Sequence, residues 1–221
     1  MNKLGLGPLQ AHITCATQTH EDLPAYLDAA KQEGAKGIMA LRGDATSQGL
    51  DVPNLIQAAR LQGCEKIFVT AYPEVHPMAQ TAQNDLNILK RKQDAGATAA
   101  FTQFFFYPDH FLRFRDQAVA HSITIPIIPG IFPVHNWKAT RSMALACGTT
   151  IEPDLAEGFA RAAREGRAEL MAIAQATELC EKLVRAGVDR LHFYQMNRAT
   201  IVAAICTAIG KAPTQTLRHV A

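Results

Sequence analysis

Residues 37–44, Gly-Ile-Met-Ala-Leu-Arg-Gly-Asp, combine two features from which the architecture can be predicted. Its first part, Gly37–Leu41, is a short apolar run typical of a buried strand, and a polar Arg-Gly-Asp tripeptide follows at once. A helical pattern over Pro53–Leu61 comes next, and a second apolar run, Lys66–Thr70, comes after that helix. This order predicts a βαβ unit whose parallel strands end in polar residues.

The same alternation continues along the rest of the chain. Strands are predicted at Ala11–Cys15, Gly37–Leu41, Lys66–Thr70, Ala99–Gln103, Ile125–Ile128 and Arg190–Phe193. Helices are predicted at Glu21–Glu33, Pro53–Leu61, Ala79–Ala95, Pro108–Ala120, Trp137–Ala146, Pro153–Gly166, Glu169–Ala186 and Arg198–Ala208. The strands lack polar alternation, which indicates that helices cover the sheet.

Six βα units fit two architectures, an open doubly wound sheet or a TIM (β/α)8-type barrel that lacks its first two strands. A dinucleotide-binding sheet would favour a GxGxxG motif after an early strand, and the chain has none. No linker or low-complexity tract interrupts the pattern, so residues 1–221 are predicted to form a single partial β/α barrel domain.

Several local signals predict where helices begin and end. Thr19, just before two acidic residues, is predicted to cap the first helix. Gly34 and Gly187 follow helical patterns at positions where a left-handed residue ends a helix. The cations of the Lys90–Lys92 run lie at the negative end of a helix dipole.

The composition excludes several classes of protein. The net charge of +2 gives no reason to expect nucleic acid or a membrane surface as a partner. The five cysteines are scattered and never form a CxxC pair. We therefore expect neither a zinc site nor a disulfide framework, and the pattern fits a reducing cytosol. The first residues contain no signal-peptide pattern, and the apolar stretch 125–134 is too short to span a bilayer. We expect a cytoplasmic location.

Polar clusters at strand ends are the candidates for binding. Arg42 and Asp44, on either side of Gly43, suit a ligand phosphate or polar group, although a solvated turn is the alternative. In the proline-rich loop after the next strand, Tyr72 and His76 suit a planar cofactor. The alternative is that the tyrosine packs on the rim of the barrel.

The helix that follows carries Asp85 with Arg91 and Lys92. The aspartate and the lysine are seven residues apart, which places them two turns apart on one helix face. The cations suit a diphosphate and the aspartate a hydroxyl. The alternative is a solvated helix face.

Two later segments can recognise a substrate. Gln103 ends a strand and can donate and accept hydrogen bonds, as an amide or pterin edge requires. The phenylalanines of 104–106 offer stacking walls, although at least two are expected to be packing residues. Arg198 lies near a predicted helix start, where it could bind the carboxylate of a substrate. The alternative is that it forms an ion pair at the surface.

Together these segments resemble the methylenetetrahydrofolate reductase family over residues 9–210. Eight motifs occur in the family's order: HITC at 12–15, LRGD at 41–44, AYPEVHP at 71–77, Asp85 with LKRK at 89–92, DAGA at 94–97, TQFFF at 102–106, IPGI at 128–131, and HFY at 192–194 with Asn197-Arg198.

The resemblance implies a (β/α)8 barrel that holds FAD, accepts a hydride from NADH or NADPH, and reduces 5,10-methylenetetrahydrofolate to 5-methyltetrahydrofolate. Asp44 and Gln103 match catalytic positions, and both also match substrate-contacting positions, as does Arg198. Flavin-contacting positions are matched by His12, Arg42, Gly43, Asp44, Tyr72, His76, Ala79, Asp85, Arg91 and Lys92.

The sequence also departs from the family pattern. No residue matches the glutamate that ends the family's first strand and is taken to be the general acid. Ile88, Ala139 and Met143 replace polar or aromatic residues. A longer natural protein, a partner that supplies two strands, and a non-catalytic flavin- or folate-binding paralogue therefore remain alternatives. A homo-oligomer is the other assembly expected.

Overall fold

The computed structural model describes residues 9–15, 19, 21–43 and 51–211. Its strands are β1 (Leu9–Thr14), β2 (Ala35–Leu41), β3 (Ile67–Ala71), β4 (Ala99–Phe104), β5 (Ile127–Ile131) and β6 (His192–Phe193). Its helices are α1 (Leu23–Gln32), α2 (Val52–Leu61), α3 (Ala82–Asp94), α4 (Pro108–Ala120), α5 (Trp137–Cys147), α6 (Pro153–Arg164), α7 (Ala168–Arg185) and α8 (Ala199–Ala208). Among the described residues, no helix is long and apolar enough to cross a bilayer.

The order of the strands decides between the two predicted architectures. The strands are hydrogen-bonded in the order β1-β2-β3-β4-β5-β6, which is also their order along the chain. A doubly wound sheet reverses its strand order at a switch point, whereas a (β/α)8 barrel adds each strand beside the last. The predicted fold class is confirmed: α/β, with the strand sequence of a TIM-type barrel that lacks two strands.

Most predicted elements lie within three residues of the observed ones, and two local predictions were wrong. The fifth strand is Ile127–Ile131 and includes Pro129 and Gly130, because burial outweighs their low strand propensity. Thr19 is not the cap of α1: the N-cap is Asp22, whose backbone N–H donates to Thr19 Oγ1 over 3.2 Å. Gly34 and Gly187 have the predicted positive φ, +93° and +84°.

The chain divides into two compact units, of which unit 1 takes in the described residues of Met1–Tyr72, Thr81–Thr102 and Gln117–Ile127. In this unit β1, β2 and β3 are paired in parallel, and β3 is paired in the same way with the start of β4. Helices α1, α2 and α3 bury apolar side chains against these strands, among them Leu27, Leu55 and Leu89. Asp51 caps α2 by accepting a hydrogen bond from Asn54 N at 2.8 Å.

Unit 2 takes in the described residues of Pro73–Gln80, Gln103–Asp116 and Ile128–Ala221. Its core is aromatic: Phe104, Phe106, Phe132 and Phe159 are buried together, and Trp137 stacks on Phe159 with ring centroids 5.0 Å apart. Strand β6 pairs in parallel with β5. The prediction of a single domain stays a prediction.

Candidate functional site

The predicted site residues fall into two groups, one in each unit. Unit 1 contains His12, Arg42, Gly43, Tyr72, Asp85, Arg91 and Lys92, and unit 2 contains His76, Ala79, Gln103 and Arg198. Asp44 lies outside the described residues.

In unit 1, two neighbouring strands end in candidate residues. Arg42 and Gly43 directly follow β2, and Tyr72 directly follows β3. Because β2 and β3 are parallel neighbours, these ends lie at one edge of the sheet. Arg42 is exposed and Tyr72 is half-buried. Gly43 has a φ of +81°, a conformation that favours glycine and lets a ligand approach the backbone closely.

His12 occupies a different kind of position. It lies inside β1, two residues before the strand ends, and it pairs with Met39 of β2. Its side chain is exposed.

Lys92 is the most unusual of these residues, because its side chain is buried with a relative exposure of only 6%. Its Nζ donates to the backbone carbonyl of Thr70 at 2.8 Å and lies 3.4 Å from Thr70 Oγ1. Burial lowers the pKa of Lys92 from 10.5 to about 8, and nearby Asp85 offsets this only in part. The solvated alternative for the helix end is therefore wrong for Lys92.

Its neighbours on α3 behave differently. Arg91 is exposed, and its guanidinium lies 3.6 Å from the carboxylate of Asp51, the cap of α2. Asp85 is buried in the first turn of α3. The helix thus presents one solvated cation and one buried cation on the side of α2 and β3.

The buried thiol of Cys15 also belongs to this part of unit 1. Its Sγ donates to the backbone carbonyl of Arg42 at 3.3 Å. Burial raises the pKa of Cys15 above its usual 9.0, so the group is a neutral thiol at neutral pH. This agrees with a packing role.

In unit 2, Gln103 already has protein partners. Its Nε2 donates to Cys147 Sγ at 3.3 Å, and its Oε1 accepts from the backbone N–H of Phe104 at 3.0 Å. The side chain is half-buried. Phe104, Phe105 and Phe106 are all buried, so all three are packing residues.

The loop Pro73–Gln80, which we call the β3–α3 loop, contains His76 and Ala79. His76 Nδ1 accepts from the backbone of Met78 at 3.1 Å, and Ala79 N donates to His76 O at 2.8 Å. Ala79 is buried. The loop is thus folded on itself around the histidine.

Sequence reasoning missed the carboxylate that anchors this loop. Glu74 Oε2 lies 2.9 Å from His110 Nδ1 and accepts from Thr150 N at 2.8 Å. Glu74 lies within the AYPEVHP motif, and nothing in its local sequence indicates that its partners are 36 and 76 residues away.

Arg198 is the N-cap of α8, as its predicted place at a helix start requires, and it is exposed. Just before it, β6 leads into an aromatic group. The rings of His192 and Tyr194 meet edge to face with centroids 4.8 Å apart, and Tyr194 lies 6.5 Å from Phe132.

Two other features carry no candidate chemistry. A surface pocket of unit 1 is lined by Leu27, Lys31, Gly37 and Cys64, at the amino end of β2, opposite to Arg42. Within the described part of the chain, no cluster of three His, Cys, Asp or Glu side chains could hold a metal ion.

Comparison with known proteins gives the family. A family model described as methylenetetrahydrofolate reductase matches residues 2–210. The chain is 40% identical over 209 residues to the 5,10-methylenetetrahydrofolate reductase of Salmonella typhimurium, and 38% identical over 207 residues to that of Pectobacterium carotovorum. Each match covers 91% of this chain and 70% of the relative.

A solved structure supports the fold. An uncharacterized protein from Clostridium thermocellum, which binds two copies of 5-methyl-5,6,7,8-tetrahydrofolic acid, superimposes with a TM-score of 0.59. The match covers 90% of this chain and 71% of that one at 13% identity, so it is a likeness of fold. With a family model over nearly all of its length and relatives at 38–40% identity, the chain belongs to the methylenetetrahydrofolate reductase family of oxidoreductases, as its ordered motifs predicted.

Proposed function

We propose that the chain reduces 5,10-methylenetetrahydrofolate to 5-methyltetrahydrofolate, with FAD as the hydride carrier and NADH or NADPH as the reductant. The observation that carries the proposal is the family match over residues 2–210. The relatives at 38–40% identity are named for this reaction.

The residues of unit 1 fit a flavin with a diphosphate. Lys92 is a buried cation whose described hydrogen bonds both go to Thr70, an uncharged partner. Because its pKa is lowered despite nearby Asp85, its positive charge is under-compensated. An anionic group close to Nζ would supply the missing compensation, and a diphosphate is such a group.

The other candidates of unit 1 suit the rest of the cofactor. Arg42 offers planar donors to a flavin carbonyl or phosphate, and Gly43 leaves room for close approach to the backbone. Tyr72 offers an aromatic face, and Asp85 can accept from a hydroxyl. When bound, the flavin supplies the two-electron hydride chemistry, while the protein holds and orients it.

The candidates of unit 2 suit the folate. Gln103 would give a hydrogen-bond donor and an acceptor to the pterin edge, because its Nε2 has a second proton and its Oε1 a second lone pair beyond the contacts with Cys147 and Phe104. Arg198, at the start of α8, would bind the carboxylate of a glutamate tail, where the helix dipole also favours an anion. Asp44 is proposed to act at the reactive ends of both rings.

A lysine-dependent aldolase is the rival class, because a lysine with a lowered pKa can form a Schiff base. Lys92 comes from α3 and not from a strand end, is only 6% exposed, and donates to a main-chain carbonyl. A Schiff-base lysine of a β/α barrel is expected at the end of a strand, so the position of Lys92 on α3 argues against this class.

The test measures the two half-reactions separately. Purified protein is supplied with FAD, reduced anaerobically with NADH or NADPH, and then mixed with 5,10-methylenetetrahydrofolate while the flavin absorbance is followed. We expect reduction by the nicotinamide and reoxidation by the folate. Comparison of the two reductants gives the nicotinamide preference.

Variants assign the roles. Gln103→Leu should keep reduction by the nicotinamide and lose about tenfold or more in the folate step, because a buried polar contact is removed. Arg42→Met should weaken FAD binding, whereas Arg190→Met, which changes an exposed arginine beside Asp189, should change neither. FAD binding without folate turnover would favour the non-catalytic or partner-completed alternative, and absence of FAD binding would overturn the proposal.

A further inference from the structure

The β3–α3 loop must be held in place by something other than regular secondary structure. Among its contacts with the rest of unit 2, Glu74 pairs with His110 and Thr150, and Val75 and Pro77 lie beside Gly148. Gln80, at its end, has a φ of +66°, a conformation that non-glycine residues adopt rarely. The start of the loop, at Glu74, therefore contributes to the position of His76 and Ala79.

Glu74 makes the strongest of these ties. Its carboxylate is 11% exposed, and one oxygen, Oε2, accepts from both His110 Nδ1 and the backbone N–H of Thr150. A carboxylate only accepts, so His110 must carry its proton on Nδ1. The other oxygen, Oε1, is buried without a hydrogen-bond partner in the described part of the chain.

The second tie comes from the segment Cys147–Thr150 at the end of α5. Gly148 caps α5 with a φ of +74°, and a Cβ added there would lie 3.1 Å from the carbonyl oxygen of Val75. The helix end and the loop backbone are thus in close contact beside the Glu74–Thr150 hydrogen bond.

Two residues of the same segment also contact the end of β4. Cys147 Sγ accepts from Gln103 Nε2 at 3.3 Å, and Thr149 Oγ1 donates to the carbonyl of Phe104 at 3.3 Å. Alternate residues of the segment therefore face β4 and the loop: 147 and 149 bind β4, and 148 and 150 bind the loop.

From this geometry we propose that Glu74 is a positioning residue, and that the segment Cys147–Thr150 couples the β3–α3 loop to Gln103. The inference rests on the proposed function, with His76 and Ala79 of the loop matching flavin-contacting positions of the family and Gln103 a folate-contacting one. The carboxylate fixes the loop through His110 and Thr150, and the segment transmits that position to the glutamine through Cys147.

A charged hydrogen bond suits this role. A carboxylate that accepts two hydrogen bonds holds its partners in a narrower geometry than a neutral group. Loss of the carboxylate is expected to loosen the loop before it affects the aromatic core of unit 2.

The first experiment uses the ligand-free protein. Hydrogen exchange is measured on peptides that cover residues 73–80 and 147–150 in wild type, Glu74→Ala, Glu74→Gln and a control, Glu157→Gln, which changes an exposed carboxylate paired with Arg164. We expect about tenfold faster exchange in both peptides for Glu74→Ala. Glu74→Gln should be intermediate, since its amide oxygen still accepts from Thr150, and the control should match wild type.

The second experiment measures FAD affinity, and the folate KM and kcat at saturating FAD. Glu74→Ala should weaken FAD binding about tenfold and raise the folate KM, since a small displacement of a binding group is enough. Cys147→Ala should raise the folate KM and leave FAD affinity unchanged, because it breaks only the link to Gln103. Glu74→Gln should partly restore both quantities.

The outcomes separate the two proposals. If wild type binds no FAD, the proposed function fails, and the exchange data still decide whether Glu74 holds the loop. If wild type binds FAD but Glu74→Ala has normal exchange or normal affinity, the positioning role is refuted while the function stands. Should Glu74→Ala not fold, Glu74→Gln and His110→Asn decide the matter by the same measurements.

Discussion

Replacement of Lys92 by methionine should change the pH dependence of folding, because Lys92 is an ammonium group buried in the protein. Its pKa is lowered from 10.5 to about 8 in the folded state. Between these values the unfolded chain binds a proton that the folded chain does not, so stability rises with pH over this window. Below pH 8 both states are protonated, and the cost of burying the charge is fully present.

The magnitude follows from the size of the shift. A tenfold change in proton affinity corresponds to about 1.4 kcal/mol, so the fall of the pKa from 10.5 to about 8 costs the folded protein about 3–4 kcal/mol at neutral pH. Most of this should be recovered between pH 7 and pH 10. Methionine is similar in length and carries no charge, so the variant should lack this rise, although it also loses the hydrogen bond to Thr70.

The assay is urea unfolding of ligand-free wild type, Lys92→Met and Lys90→Met at a series of pH values. The difference between wild type and Lys92→Met cancels the titration of all other groups, and Lys90, on the same helix and paired with Asp94, is the control. A parallel pH dependence of wild type and Lys92→Met would show that the charge is not buried. If the flavin diphosphate binds beside Lys92, FAD affinity of wild type should also fall as pH rises through 8, and that of Lys92→Met should not.

Two further predictions concern unit 2. Gly148→Ala should lower the free energy of unfolding by about 1 kcal/mol more than Gly166→Ala, since both have positive φ but only Gly148 lies against Val75 O; equal losses in thermal unfolding would contradict the contact. Phe159→Ala should cost about 3–5 kcal/mol and shift the fluorescence of Trp137, the chain's single tryptophan, to longer wavelength as its stacking partner is lost. An unchanged emission spectrum would argue against the stacked pair.

Much of the fold could be predicted from local sequence. The helix Pro108–Ala120 was predicted with its observed bounds, because proline at its start and a regular apolar spacing are local signals. The strand Ile127–Ile131 was predicted to end three residues too early, at Ile128, because Pro129 and Gly130 resemble a turn and only burial makes the segment a strand. Membership of the family could also be predicted from the sequence, since it depends on the order of the motifs along the chain and not on their geometry.

Only part of the candidate site could be predicted from the sequence. The positions of Arg42 and Tyr72 at strand ends follow from the alternation of strands and helices. Parallel strands bring their carboxyl ends to one edge of the sheet, so the two residues could be predicted to lie there. The burial of Lys92 could not be foreseen, because a Lys-Arg-Lys run at a helix end has the same sequence whether or not a neighbouring strand covers it.

The element order, the fold class and the family could be derived from the amino-acid sequence, since these depend on short-range periodicity and on residue types in a fixed order. The folded chain was needed to show which polar groups are desolvated and which distant residues they contact, as with Lys92 and Thr70, or Glu74, His110 and Thr150. Solvation and hydrogen-bond partners depend on what the folded chain places nearby, and no local pattern contains that information.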